Sequence, residues 1–289
     1  MKGIIVKNIS NDYVVNSNGN LYTCKPRGKF RINNITPLVG DKVIFDEKNN
    51  YILEIEPRVN ELIRPSIANV DIAVIVTSVK SPNFDTYLLD KTLTIISYNN
   101  IIPIIYFSKL DLLNEYEYEQ ISKYIKYYQD IGYKIATTPE DLLKLIKHKT
   151  IVLTGQSGAG KSTLLNKINP KLQLKTDNIS KALGRGKHTT RHTELYNIDN
   201  TFIADTPGFS KIDFHNMRAI DIRDNMKEMF DNCSHCKYTD CMHIEEDECY
   251  IKELMKNNQI LKSRYNNYRL FINRWFYVKN INFYPIIKK

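Results

Sequence analysis

Gly155, Gly158 and Gly160, followed by Lys161 and Ser162, fall in the stretch GQSGAGKS, which has the form G-x-x-x-x-G-K-S. Glycines at these spacings let the backbone curl so that several N–H groups face one anion, and a helix starting at Lys161 adds the positive end of its dipole. Lys161 can then bridge the outer phosphates of a nucleotide and Ser162 can ligate Mg²⁺. Gln156, Ser157 and Ala159 inside the loop, and Thr163 behind it, complete the expected phosphate-contacting set. Further on, FIADTPGF puts Asp205 where a carboxylate can hold a Mg²⁺ water and Gly208 where an N–H can approach a terminal phosphate. Earlier in the chain, Ser108, Lys109, Leu110 and Asp111 spell SKLD. An aspartate there can accept from the N1–H and exocyclic amine of guanine, a donor pair that adenine lacks, and Lys109 can brace the phosphate loop. Cys236, Cys241, His243 and Cys249 have the spacing C-x4-C-x-H-x5-C, a complete tetrahedral set for a structural Zn²⁺. Cys233 and His235 stand beside that set, and spacing alone also admits a set that uses Cys233.

These stretches need particular elements to hold them. The runs IIVKNI, DYVVNS, NLYTCK, GDKVIF and YILEIE alternate apolar and polar positions between turn residues, which predicts short strands closed into a small β-barrel. Within this region PRGKFR reads as a strand pointing Arg27, Lys29 and Arg31 one way and Phe30 the other. From Asn69 the pattern changes to the continuous apolar runs VDIAVIVTSV and IIPIIYFS, as strands buried on both faces of a parallel sheet require. FDTYLLDKTLTIISYNN, EYEQISKYIKYYQDIG and PEDLLKLIKHK have helical spacing, and TIVLTG is a further strand leading into the glycine loop. Strands alternating with helices predict an α/β sheet with right-handed crossovers. After NTFIADTPG the alternation gives way to the cysteine cluster and a tyrosine-rich helical tail.

Composition narrows the partners. The formal net charge is +9, from 41 Lys and Arg against 32 Asp and Glu, which favours an anionic partner such as RNA. Residues 250–289 hold nine basic residues against the single acid Glu253. Four of five cysteines crowd into residues 233–249, as metal ligands do in a reducing compartment. No apolar run reaches the length of about 18 residues that a membrane helix needs, so a soluble, cytoplasmic protein with no membrane partner is expected. In the tail, Leu270, Phe271, Trp275 and Phe276 are expected to pack onto the cysteine module and leave a basic face for RNA.

FSKLD, IATT, GQSGAGKS, KHTT and DTPG, read as the five G motifs, run in the order four, five, one, two, three. With the N-terminal strands, IRPSIANVDIAVIV and FDNCSHCKYTDCMHIEEDEC, the chain resembles the RsgA (YjeQ/YloQ) family of circularly permuted bacterial GTPases that depend on the small ribosomal subunit. The resemblance covers nearly all 289 residues. It implies a multidomain fold: an OB-fold RNA-binding barrel (residues 1–62), a permuted α/β P-loop GTPase domain (63–222) and a C-terminal α-helical zinc-binding domain with a basic tail (223–289). It implies GTP and GDP, Mg²⁺ and one Zn²⁺ as ligands, and hydrolysis of GTP during late maturation of the 30S subunit, on 16S rRNA. Nothing in the sequence calls for an obligate dimer, so a monomer is expected.

Two departures mark this chain. The family pattern N-K-x-D has Ser108 in place of asparagine, so one amide contact is shortened or lost. After D-x-x-G, where many GTPases use glutamine to orient the attacking water, stands Phe209. Slow intrinsic hydrolysis, stimulated by the 30S subunit, is the consequence expected. His188 is the candidate to place the water, since related proteins carry histidine in the matching G-x-H-T-T context, and Thr189 or Thr190 can complete the Mg²⁺ shell. The alternative is an RNA-binding assembly factor that holds nucleotide mainly as a structural ligand. Because Asp205 and Gly208 lead almost directly into the cysteine cluster, contacts to the γ-phosphate are expected to pull on the C-terminal domain.

Overall fold

The structure, a computed structural model, describes residues 1–10, 12–63, 66–170, 194–205, 213–214 and 217–281, with backbone only at residues 31, 63, 205 and 275–281. Alternating residues of β1 (Lys2–Ile9), β2 (Asp12–Ser17), β3 (Asn20–Pro26), β4 (Lys42–Asp46) and β5 (Tyr51–Ile55) turn inward, burying Ile5, Val15, Cys24, Phe45 and Ile52. The strands run in the order β1-β2-β3-β5-β4, and β4 returns to pair with β1 through Gly3↔Val43, so the sheet closes into the expected five-stranded, OB-like barrel. The β3–β5 seam is short, paired at Lys25↔Tyr51 and Pro26↔Ile52.

One local expectation fails. Residues Gly28–Ile32 form a short helix, α1, between β3 and β4, instead of a strand. Bonds from Phe30 N–H to Arg27 O (3.1 Å) and from Asn33 N–H to Lys29 O (3.1 Å) close its turns. Alternation in so short a segment fits either geometry, and burial of Phe30 in the barrel core decided between them.

After the β6 (Glu61–Ile63) and β7 (Ser66–Ala68) hairpin, the apolar runs become β8 (Ile72–Ser78), β9 (Ile102–Ser108), β10 (Lys134–Ala136) and β11 (Thr150–Thr154). With β12 (Glu194–Ile198) and β13 (Thr201–Asp205) they stack in the order β10-β9-β8-β11-β13-β12, all parallel except β12. Between them lie α2 (Thr86–Tyr98), capped by the Asp85 carboxylate on Leu88 N–H, and α3 (Glu115–Asp130), opened by the Asn114/Glu117 capping box. α4 (Pro139–Ile146) is capped by Thr138, and α5 (Lys161–Ile168) follows β11. Barrel and sheet join through β1 and β12 at Lys7↔Glu194, giving eleven strands in one array. Below that junction the barrel core runs on into Val70, Ala73, Ile96, Val152 and Leu195.

The C-terminal part contains α6 (Ala219–Asp224), α7 (Lys227–Asn232), α8 (Tyr250–Lys256) and α9 (Lys262–Ile281). Phe214, Met217, Ile222, Met226, Ile251 and Phe271 form its core together with Ile95 of α2. Along α9 the buried positions Arg264, Tyr265, Tyr268, Phe271 and Ile272 follow helical spacing. Phe271 packs as expected; Leu270, which lies off that stripe, is 53% exposed, while the side chains of Trp275 and Phe276 lie outside the described residues. Among the described residues no helix is long and apolar enough to cross a membrane.

Candidate nucleotide site and metal centre

The carboxyl ends of β8, β9 and β11 share one edge of the sheet, because these neighbours run parallel. The loop leaving β11 turns at Gly155, whose φ is 139°. A Cβ there would lie 2.1 Å from the Val76 carbonyl oxygen of β8, so only glycine lets the two strand ends sit so close. Gly160, at φ 98°, caps α5, and Leu164 N–H donates to its carbonyl at 2.8 Å. Leu164 and Leu165 are buried against the sheet and set the direction of the helix axis toward the loop. Lys161 arches back over the loop, its ammonium donating to Gly155 O (2.8 Å) and Gln156 O (2.6 Å). Ser162 is half-buried in the first turn, with Thr163 exposed behind it.

At the end of β9 the chain delivers SKLD to the same place. Lys109 adopts left-handed backbone at φ 64°, and its ammonium donates to Gly158 O of the phosphate loop (2.8 Å) and to Ser81 O. The Ser108 hydroxyl donates to Ala159 O at 2.6 Å. Asp111 is exposed in the 3₁₀ turn Leu110–Leu112, its carboxylate open to solvent. Thr137 and Thr138 follow β10 at the same edge. Residues about fifty positions apart thus form one continuous lip, and the reversed order of the two motifs leaves that lip intact. A small cavity opens beside it between β8 and α2, walled by Val76, Thr77, Leu89 and Thr92.

Asp205 ends β13 beside β11, as expected, with its side chain outside the described residues. His188, Thr189, Thr190, Gly208 and Phe209 also lie outside them.

The cysteine cluster forms a second, closed site. The ligand atoms of Cys236, Cys241, His243 and Cys249 lie within 4.8 Å of one another. His243 Nδ1 stands 3.5 Å from Cys236 Sγ and 3.4 Å from Cys249 Sγ, and the two sulfurs are 4.0 Å apart. With Zn–S of about 2.3 Å and Zn–N of about 2.0 Å, tetrahedral edges come to about 3.5 to 3.8 Å, so the donors fit Zn²⁺. Burial, aided by the nearby Arg223, lowers the His243 imidazole to about 4 and leaves its lone pair free to ligate. Burial pushes the Cys241 thiol up to about 12, so a bound cation is what would hold it as thiolate. Tyr265 and Tyr268 donate to the carbonyls of His243 (2.7 Å) and Met242 (2.6 Å), and Arg223 donates to Cys241 O (3.1 Å). Glu246 accepts from Met242 and Ile244 N–H at 2.6 and 2.8 Å. Among the described residues, the buried His243 Nε2 finds no hydrogen-bond partner. Of the alternatives left by spacing, Cys233 lies outside the cluster, and His235 instead packs its ring on Tyr250.

Sequence reasoning missed a third group of functional weight. Arg264, counted there only as part of a basic tail, is 1% exposed and shared by two buried carboxylates. It donates to Glu228 (2.6 and 3.0 Å) and to Asp90 of α2 (2.7 Å), while Tyr127, Tyr128 and Asn267 donate to the same acids. Lys91 beside Asp90 pairs with Asp213 at 3.1 Å. An arginine fifteen residues from the nearest cysteine carries no local signal for this role.

A glycine loop between a parallel strand and a helix, met by an S-K-x-D turn from an earlier strand, defines a P-loop nucleotide-binding protein of permuted order, with a barrel before it and a Cys₃His cluster behind it. Comparison with known proteins agrees. The family described as RsgA GTPase matches residues 55–215, and the RsgA N-terminal domain matches residues 2–52. A small ribosomal subunit biogenesis GTPase RsgA of Enterococcus faecalis is 45% identical over 280 residues, 94% of each chain. RsgA 2 of Oceanobacillus iheyensis is 46% identical, over 94% of this chain and 96% of its own. Two solved structures share the fold: YjeQ from Thermotoga maritima (TM-score 0.83, 32% identity, 95% of this chain and 98% of that one) and YloQ, described as a circularly permuted GTPase (0.80, 36%, 95% and 94%). The chain belongs to the RsgA GTPase family.

Proposed function

We propose that the protein hydrolyses GTP on the small (30S) ribosomal subunit late in its maturation and leaves after hydrolysis. The single observation that carries the reading is the joined lip, in which Lys109 and Ser108 of the base turn hold consecutive carbonyls of the phosphate loop. The names of the relatives supply the ribosomal setting.

In this reading residues 1–62 and 223–289 bind 16S rRNA and residues 63–222 act as the timer, in a cytoplasmic monomer. Asp111 reads the guanine edge. The backbone from Gly155 to Gly160, including Gln156, Ser157, Gly158 and Ala159, wraps the phosphates with Lys161, Ser162 and Thr163. Ser162, Asp205 and Thr189 or Thr190 hold Mg²⁺, which neutralises charge on the outer phosphates, and the Gly208 N–H meets the γ-phosphate. Phe209 supplies no polar group, so His188 orients the water. Cys236, Cys241, His243 and Cys249 hold a Zn²⁺ with four protein ligands and no open position, a structural role.

GTP turnover with and without purified 30S subunits tests this. Strong stimulation is expected, and His188→Ala should lower the stimulated rate while sparing GTP binding. Turnover that 30S leaves unchanged would favour the reading as an RNA-binding factor with a structural nucleotide, to which Phe209 lends weight.

A further inference from the structure

The tie between Ser108 and Ala159 joins residues fifty-one apart and lies in a buried contact of 2.6 Å. Its geometry bears on the phosphates. In a trans peptide the C=O and the following N–H point in opposite directions, so whatever holds the Ala159 oxygen also aims the Gly160 N–H. That peptide is poorly constrained by its own chain, since Gly160 sits at φ 98° and glycine crosses this region with little cost. Lys109 holds the preceding carbonyl, Gly158 O, from the same side. With the Ala159 carbonyl drawn toward the base turn, the Gly160 N–H is turned away from Ser108 at the residue that caps α5, the end of a helix that favours an anion. The Ser108 side chain has no room to do much else: the residue is 8% exposed, its Cβ lies 4.0 Å from where a Gly160 Cβ would be, and its one alternative acceptor, Thr77 O, is at 3.3 Å. With its only proton given to Ala159, the hydroxyl has none to donate to a base.

We propose that Ser108 is a positioning residue for the nucleotide phosphates: its hydroxyl pins the Ala159–Gly160 peptide in the anion-binding orientation, and recognition of the base is left to Asp111. The inference rests on the reading of this lip as the GTP site. It turns the departure from asparagine into a division of labour, with one side chain of the turn serving the phosphate loop and another the guanine edge.

Affinities of the full-length protein for GDP, GTP and IDP, measured for wild type, Ser108→Ala and Ser108→Thr, test it. IDP lacks the exocyclic amine, so the GDP/IDP ratio reports base reading alone. One lost neutral hydrogen bond predicts that Ser108→Ala weakens GDP, GTP and IDP alike by about three- to tenfold, with the GDP/IDP ratio unchanged. Ser108→Thr, which keeps the hydroxyl, should restore binding, a rescue that a packing role for the serine would not give. Ser108→Cys, similar in shape but a weak donor, carries the same comparison if the alanine variant folds poorly. Unchanged affinity in Ser108→Ala, a shift in the GDP/IDP ratio, or failure of threonine to rescue would overturn the proposal. Failure of the wild type to prefer GDP over ADP would instead sink the reading of the site itself.

Discussion

The nucleotide-binding sheet is gripped from two sides by different physics. Toward the barrel the contact is mainly apolar: Val70, Ala73, Ile96, Val152 and Leu195 continue the barrel core. The polar contacts include neutral hydrogen bonds, Asn69 Nδ2–H to Gly40 O (3.0 Å) and Val70 N–H to Asn60 Oδ1 (2.9 Å), and the half-exposed Lys7–Glu194 ion pair at 3.0 Å. Toward the C-terminal part, apolar packing by Ile95, Tyr87 and Phe271 is accompanied by a buried ionic group, with Arg264 between Asp90 and Glu228. Apolar burial is non-directional and holds two bodies together without demanding one register. A buried arginine fork is directional, and its partners lose far more if it shifts than they gain from its presence. The barrel is therefore fused to the sheet, whereas the C-terminal helices are keyed to it. The key enters α2, whose Leu89 and Thr92 wall the cavity beside the phosphate loop while Asp90 and Lys91 face the other way. α2 thus touches both the wall of that cavity and the C-terminal helices.

The sharpest way to break the comparison is Arg264→Ala. It strands two buried carboxylates and should cost about 3 to 5 kcal/mol in urea unfolding of the C-terminal part. A loss under about 1 kcal/mol would show the group to be as dispensable as a surface pair. On the barrel side, Leu195→Ala should cost about 3 kcal/mol through cavity formation, and calorimetry should show the barrel and sheet still melting together. Separate melting would mean that the apolar seam is weaker than its burial suggests.

Acid should separate the two sides further. Burial raises the Glu228 pKa, but the forked contact from Arg264 outweighs it and leaves the carboxyl below its ordinary value. Asp90 goes the other way, burial outweighing Arg264, Asn267 and Tyr128, as expected when one cation serves two acids. A depressed carboxyl contributes stability above its unfolded pKa of about 4.3, and loses it as pH falls through the folded value. The stability difference between wild type and Glu228→Gln should therefore shrink below about pH 4, read as urea midpoints across a pH series. A difference that stays constant with pH would remove Glu228 ionisation from the account. The smallest effect is expected for Lys7→Ala, under about 1 kcal/mol and vanishing in high salt, since each partner is 35% exposed.

The parts legible in the sequence were those whose chemistry is local. GQSGAGKS sits on the predicted strand–loop–helix, the Cys₃His spacing delivered donors at metal-ligand separations, and the continuous apolar runs became the parallel strands. PRGKFR was misread because five residues of alternation do not separate a strand from a turn of helix. Arg264 was illegible because helical spacing marks a buried face but does not say that the face will meet two acids, one of them 174 residues away.

By itself, then, the sequence marked a phosphate-loop motif and a cysteine–histidine cluster with metal-ligand spacing, since both depend on donors only a few residues apart. Tertiary structure alone decided how those sites are connected. The Ser108–Ala159 tie, the Lys109–Gly158 contact and the Arg264 group exist only where distant segments meet, and each polar group was directed inward because burial without a partner would have cost more than the bond returns.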